Sequence, residues 1–420
     1  MAGRRAICLF SLRGENGGMA KTLQLPTIPT QLVQTPEELT KVCAHLRAAG
    51  VFAFDTEFIG ENTYQPVLCL VQVATEERVE LIDPFALDAE ALSPLWALVG
   101  DPQVAKICHA GDQDVEIAWQ QSGRVAQNMF DTQIGAGMIG LTYPTALWRA
   151  VEHFTGVTLE KAHTYSAWDR RPLSKAQFQY AVDDVRYLPT VHAAMRARIA
   201  ELGHAEWMAG ACNEMCAESA GPAESRRLYT RIRGASGLSG LQLAVLREIT
   251  ALREQIAFEH DVPSRAVLKD EVLLEMATRM PATERALAGL KEMPPRVIEN
   301  DGAAFLEAIA RGRKVPESEQ PVITVPGEDS AEVKRLAETL WVATQVICLG
   351  QSVTPALVTS QNEVTALARL VHRGKPLDTH PLMTGWHREC LGEKLAAFVR
   401  GELGMTVRMK DTEMRATFAG

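Results

Sequence analysis

No stretch of this chain approaches the ~18 consecutive apolar residues that a membrane-crossing helix needs, so a helical membrane span is excluded. The apolar run nearest the start, Ala6 to Leu12, is interrupted by Arg13 and is too short for a convincing secretory signal. Residues 1–24 are read as a disordered extension, with Met19-Ala20-Lys21 as an alternative start. Paired cysteine motifs are missing too. The eight cysteines (Cys8, Cys43, Cys69, Cys108, Cys212, Cys216, Cys348, Cys390) form no C-x-x-C pair, and Cys69 and Cys108 lie in apolar runs. They read as small buried hydrophobes in a reducing compartment, which excludes a disulfide frame or a zinc site. Excess positive charge is also absent. The formal net charge is −9, and the deficit sits in residues 1–230, with 19 Lys+Arg against 27 Asp+Glu; residues 231–420 carry 24 against 25. A generally basic nucleic-acid-binding surface is therefore not expected. An acidic first half suits an enzyme that gathers carboxylates around cations.

What is present is an ordinary globular composition, 46% hydrophobic and 23% charged, at a length that suggests two to four domains. From Thr35 to about Leu202 strands and helices mix. Thr35-Pro36-Glu37-Glu38 opens a helix, with an N-cap, a proline at the first turn and early acids. Strands are predicted at 51–57, 67–73 and 78–82 as an antiparallel meander, then a helix near 89–99 and a fourth strand at 104–108. Helices dominate from Asp112 onward. The spacing predicts a mixed sheet flanked by helices over residues 25–216, a linker at 217–237, a helical domain at 238–314, a second linker at 315–329 and another helical domain at 330–410. In the first helical block Leu238, Leu241, Val245, Ile249, Leu252 and Ile256 form one apolar helix face. Pro281, Pro294-Pro295 and Gly312 read as punctuation between helices. The two blocks resemble a divergent repeat: Val267-Leu268 matches Leu357-Val358, and Ala303-Ala304-Phe305 matches Ala396-Ala397-Phe398.

The chemistry begins in Val51-Phe-Ala-Phe-Asp-Thr-Glu57, an apolar strand interrupted by two acids. Strand side chains alternate, so Asp55 and Glu57 project from one side. Two carboxylates side by side repel and are costly to bury, and a hard divalent cation removes both objections. A hydrated strand end is the plain alternative. His109-Ala-Gly-Asp-Gln-Asp114 lies where a strand hands over to a helix. Asp112 is expected as the N-cap, with Asp114 in the first turn and free to point elsewhere, while His109 is expected to be structural. Ser174-Lys-Ala-Gln177 is a capping box opening a helix on which Tyr180 and Asp184, four apart, share a face; Asp183 points about 100° away. Together these supply four carboxylates and a tyrosine. That set suits phosphodiester hydrolysis by two divalent cations, with the tyrosine hydroxyl orienting the attacking water.

The same stretches resemble the ribonuclease D family, DEDD-type exonucleases of the tyrosine-containing branch. The resemblance is carried by Phe54-Asp-Thr-Glu-Phe58, Thr63-Tyr-Gln-Pro-Val-Leu-Cys-Leu-Val-Gln72, Leu81-Ile-Asp-Pro84, His109-Ala-Gly-Asp-Gln-Asp-Val-Glu116, Phe130-Asp-Thr-Gln133, Arg171-Pro-Leu173 and Tyr180-Ala-Val-Asp-Asp-Val-Arg-Tyr-Leu188. It implies an α/β, RNase H-like (DnaQ-like) exonuclease domain followed by two all-α helical domains of the helicase-and-RNase-D C-terminal (HRDC) type. The site residues it implies are Asp55, Glu57, Asp114, Tyr180 and Asp184. Asp55 would bridge two divalent cations, Mg²⁺ or Mn²⁺, Glu57 and Asp184 would complete the water-activating site, and Asp114 would support the other. The implied activity is 3′-5′ exoribonucleolytic release of 5′-monophosphates from RNA with a free 3′ end, with tRNA precursors as substrates. No membrane and no organic cofactor are implied, and the expected state is a cytoplasmic monomer. Asp131 reads as an N-cap. Ala167 stands before Trp168 where the family often has Asp, which leaves local substrate contacts open. A 3′-5′ DNA exonuclease uses the same catalytic set, because sugar choice depends on contacts to the 2′-hydroxyl. A non-catalytic RNA-binding adaptor is the alternative from outside enzymes.

Overall fold

The computed structural model describes residues 29–159, 167–219, 228–323, 329–410 and 413–419. The expected extension 1–24 lies outside them. The chain divides into two compact units. One takes the described residues of Met1–Glu57, Cys69–Ala220 and Asp329–Gly420; the other takes Phe58–Leu68 and the described residues of Gly221–Glu328.

The first unit is built on a six-stranded mixed sheet. Its strands are β1 (Thr30–Val33), β2 (Val51–Ile59), β3 (Val67–Ala74), β4 (Val79–Ile82), β5 (Ala105–Cys108) and β6 (Met129–Asp131), in the order β1-β4-β3-β2-β5-β6. The four strands expected from the sequence are β2 to β5. Phe52, Phe54, Leu70, Leu81, Ile82 and Ile107 are fully buried, as strands packed on both faces require. β3 and β4 pair antiparallel, whereas β2 runs parallel to β5 with Ala53 opposite Ile107, and β5 runs parallel to β6. The parallel register brings the carboxyl ends of β2 and β5 to one edge of the sheet. Open α/β sheets keep their ligand sites at such ends.

Two strands were not anticipated. β1 pairs parallel with β4, and β6 interrupts the stretch expected to be helical. At four and three residues, both are too short to show a period of two in the sequence.

Helix α1 (Pro36–Ala49) starts with the expected cap: Thr35 accepts from the Glu38 N–H and the Glu38 side chain returns to the Thr35 N–H. Helix α2 (Ala89–Val99) also falls where expected. Helices α3 (Asp112–Ser122), α4 (Thr132–Met138), α5 (Leu147–Thr155), α6 (Lys175–Arg186), α7 (Leu188–Leu202) and α8 (Ala205–Ser219) complete this part.

The C-terminal helical block belongs to the same unit because it shares a core with these helices. Ile134, Met138, Ile199 and Met208 bury against Leu340, Ile347, Val358, Trp386 and Leu391. The Thr354 N–H donates to the Gly137 carbonyl (2.9 Å), and Trp386 Nε1–H donates to Glu214 (2.8 Å). A Cβ on Gly137 would come within 2.8 Å of Leu357, so the close approach needs glycine there. An antiparallel hairpin, β7 (Gly404–Lys410) with β8 (Glu413–Ala419), closes the described chain, and its first strand falls in the region 330–410 expected to be all helical. Met405 and Phe418, opposite one another in it, pack against the helical core.

The second unit is helical. The helix Gly240–Glu259, opened by a Ser239–Gln242 capping box, packs on the helix Pro295–Arg313. Ile249, Leu273, Met276, Leu287 and Phe305 form its core. Tyr229, Ile232 and Ala235, in the stretch read from the sequence as linker, are buried in this core as well. Within the same unit, the Tyr64 hydroxyl donates to Glu254 (3.2 Å) and its N–H to Asp261 (3.1 Å), with its ring edge-on to Phe258. The helix order seen here, Gly240–Glu259, Ser264–Val267, Asp270–Arg279, recurs in the C-terminal block as Ala331–Gln351, Pro355–Val358, Gln361–His372.

Gly312 lies in the last turn of the helix Pro295–Arg313, one residue before its end, and there it does more than punctuate: an added Cβ would sit 2.5 Å from the Val245 Cα. The missing side chain is what lets the two helix backbones meet. Gly312→Ala should destabilise this unit by about 1–3 kcal/mol through overpacking. Faster hydrogen exchange at the amides of the helix Gly240–Glu259 in the full chain is the expected signature, and unchanged exchange would contradict the packing argument.

Candidate active site

Three carboxylates converge at the carboxyl edge of the sheet. Asp55 and Glu57 leave one side of β2, and Asp184 reaches them from α6, which packs against β4. One oxygen from each lies within 4.8 Å of the others. All three are half-buried, and an all-oxygen set of this spacing fits a hard divalent cation. Asp114 stands beside this trio, buried in the first turn of α3. Its Oδ1 accepts from the Thr56 hydroxyl (2.5 Å).

The helix carrying Asp114 does not start as expected. Its N-cap is Gly111, and Asp112 makes no capping bond. Asp131, at the end of β6, takes that role from outside. Its Oδ2 accepts the Gly111 N–H (2.8 Å), while its Oδ1 accepts the Gln133 and Ile134 N–H groups and so caps α4, as read from the sequence. One buried carboxylate thus satisfies donors at two helix starts. His109 is structural, as expected, and is held by the Thr132 hydroxyl (2.8 Å) and the Thr145 carbonyl (3.0 Å).

Helix α6 is positioned by contacts the sequence did not reveal. Its Ser174–Gln177 capping box is present, and Gln177 Nε2–H also donates to the Ala167 carbonyl (3.1 Å). Arg171 grips Asp83 through two bonds, Nε–H to Oδ2 (2.9 Å) and Nη2–H to Oδ1 (2.7 Å), and reaches the Cys69 carbonyl (2.6 Å). Burial pushes the Asp83 carboxyl up, but the Arg171 and Gln34 hydrogen bonds carry it below the usual carboxylate range. The Leu81-Ile-Asp-Pro84 and Arg171-Pro-Leu173 stretches are therefore partners, an ion pair that fixes the approach to α6. On the helix, Tyr180 hydrogen-bonds Asp184, and its ring lies 6.0 Å from the buried Trp168 ring. Asp183 faces elsewhere, toward Gln179 (3.0 Å) and Arg186 (3.7 Å).

The charges of this cluster oppose one another. Burial, then the charges of Asp114, Asp184 and Glu57, raise Asp55 well above its ordinary value. Burial, then Asp184 and Asp114, push Glu57 up to about 9. Burial pushes Asp114 up to about 7 although the Thr56 O–H and N–H pull it down. Asp184 also rises to about 7, through burial and the Asp183 charge, against the bond from Tyr180. Burial and the Asp184 charge raise the Tyr180 hydroxyl, which stays protonated. Without a cation the site binds protons at neutral pH.

The fold and this site define a 3′-5′ exonuclease. Residues 30–200 match the family described as 3'-5' exonuclease, and residues 242–309 match the HRDC domain. The chain is 34% identical to ribonuclease D of Gluconacetobacter diazotrophicus, over 92% of this chain and 96% of that protein. It is 32% identical to ribonuclease D of Nitrobacter hamburgensis, over 90% of this chain and 97% of that protein. Its structure resembles that of Escherichia coli RNase D, "an exoribonuclease involved in structured RNA processing", with a TM-score of 0.76 and 27% identity over 89% of this chain and 99% of that one. The chain belongs to the ribonuclease D family, hydrolases that act as 3′-5′ exoribonucleases on phosphodiester bonds. The resemblance read from the motifs is borne out, as are the mixed-sheet exonuclease fold and its helical C-terminal region.

Two outcomes follow for this site. Removing Arg171 leaves the buried Asp83 charge without its partner, which costs about 3 kcal/mol when such pairs are broken. Arg171→Ala should lower stability by that order and lower activity with it. Arg171→Lys should recover only part, because an ammonium cannot reproduce the fork. Urea unfolding of both variants checks this, and a wild-type midpoint for Arg171→Ala would refute it.

The second outcome concerns pH. The raised carboxyls at about 7 and about 9 hold protons that the unfolded chain, at about 4, has already released. Stability without metal should therefore fall as pH rises from about 4 through about 9. A cation bound by this cluster would take the place of those protons. The rise in thermal midpoint caused by Mg²⁺ should be small near pH 5 and grow toward pH 9; a pH-independent shift would argue against ligation by this cluster.

Proposed function

We propose that Asp55, Glu57, Asp114 and Asp184 hold two divalent cations, Mg²⁺ or Mn²⁺, and that the chain trims the 3′ ends of tRNA precursors as a cytoplasmic monomer. The observation that carries the metal reading is the approach of Asp55, Glu57 and Asp184 to within 4.8 Å, in a setting where burial and like charge hold their protons on. In this reading Asp55, central to the repulsion, serves both cations, Glu57 and Asp184 share one with it, and Asp114 serves the other. When bound, such cations make a water nucleophilic and neutralise charge on the departing 3′ oxygen. The chain supplies the rest. Tyr180 keeps its proton and is hydrogen-bonded to Asp184, so its hydroxyl is placed to orient the attacking water. The half-buried setting limits competition from bulk solvent. The products are 5′-monophosphates.

The tRNA assignment draws support from the family and from the exonuclease and HRDC domains within one chain. A 3′-extended tRNA incubated with the full chain should shorten stepwise in Mg²⁺ and remain intact in EDTA. Asp55→Asn removes one ligand and little volume, so it should fold normally yet lower turnover at least 10³-fold, on the order of a lost major electrostatic element. Wild-type-like turnover by this variant would remove the metal assignment. A DNA oligonucleotide of the same sequence, degraded equally well, would contradict the RNA preference.

A further inference from the structure

The conversation between the three motifs runs through a residue to which the sequence reading gave no role. Thr56 stands between Asp55 and Glu57 on β2 and is buried, as is Asp114. Its Oγ1–H donates to Asp114 Oδ1 (2.5 Å), and its backbone N–H also supports the Asp114 carboxylate. On the far side, α3 is pinned at its N-cap, because Asp131 Oδ2 accepts the Gly111 N–H (2.8 Å). Asp114 is therefore held from two directions. Asp131 sets where the helix begins, and Thr56 sets how the carboxylate is turned.

Resting on the two-cation reading above, we propose that Thr56 is the positioning residue of the second cation site: by occupying Asp114 Oδ1 it leaves Oδ2 as the oxygen offered to the ion. The argument is one of donor count. The hydroxyl takes up one of the two lone-pair sites of Oδ1 and restrains rotation about the Cβ–Cγ bond, which makes Oδ2 the less committed oxygen. The same strand carries Asp55 and Glu57, so the ligands of both sites are referred to one rigid element. Partners of this kind behind a ligand change metal affinity by about 10–100-fold when removed.

Thr56→Val keeps the volume and the backbone N–H but removes the hydroxyl, and Thr56→Ser keeps the hydroxyl and removes the methyl. The full chain is titrated with Mn²⁺ beside an oligoribonucleotide whose 3′-terminal linkage is a phosphorothioate, and bound ions are counted by electron paramagnetic resonance. The wild type should bind two ions. Thr56→Val should keep one at wild-type affinity and weaken the other by about 10–100-fold, with kcat reduced and KM for RNA unchanged. Thr56→Ser should restore the second ion. If valine prevents folding, Thr56→Ala carries the same expectation. Two ions bound by Thr56→Val with wild-type affinities, or a second ion lost equally in Thr56→Ser, would overturn the role given to the hydroxyl. A wild type that holds fewer than two ions would overturn the two-cation reading itself and this inference with it.

Discussion

Everything in the N-terminal domain is arranged around the repulsion between carboxylates that cannot move apart. Asp55, Glu57, Asp114 and Asp184 come from a strand, a helix start and a late helix, and each is driven above its ordinary pKa first by burial. An unsupported chain would relieve that repulsion by rotating side chains or by letting the helices drift. The structure prevents both. β2 lies between β3 and β5, α3 is pinned through Gly111 to Asp131, and the segment leading into α6 is held by Arg171 on Asp83. The cost of the site is thus met by neutral or well-paired bonds in its supports, and the site stays ready for cations.

Those supports have a common character. Asp131 and Asp83 are more deeply buried than the half-buried trio, yet each is satisfied: Asp131 by three backbone N–H groups, Asp83 by a forked guanidinium. A buried carboxylate with enough donors around it is a stable fixture, whereas the cluster acids stay raised even where Thr56 or Tyr180 bonds them. The contrast separates acids that support the site from acids of the carboxylate cluster, and motif matching alone does not separate them. The C-terminal block belongs to the same unit. It shares a core with α4, α7 and α8, the helices that lie beyond the active-site strands in the chain.

Several features were legible because they depend on neighbours in sequence. The Asp-x-Glu alternation on β2, the Tyr-x₃-Asp face of α6 and the capping boxes at Thr35 and Ser174 are local periodicities, and they stand where the residues indicated. The features that were missed depend on distant partners. Asp112 has the right residue type for a cap, but a carboxylate nineteen residues later already serves that helix start. Gly312 looks like a breaker, and only the nearness of Val245 shows it to be a packing contact. β1, β6 and the terminal hairpin are short or lie at edges, where pairing partners define a strand more than its own pattern does.

By itself the sequence determined which residue types could form the site and on which faces of which elements they would lie, because strand and helix periods are properties of the local backbone. It also determined the family, since the motifs occur together and in order. The tertiary structure decided which acids meet and which are satisfied elsewhere. It brought Asp184 to Asp55 across more than a hundred residues, gave Asp131 two helix starts to cap, and set the Thr56 hydroxyl on Asp114. The physical reason is that ligation and repulsion depend on distances of a few ångströms, and those are fixed by how the sheet is ordered and how α3 and α6 are anchored to it.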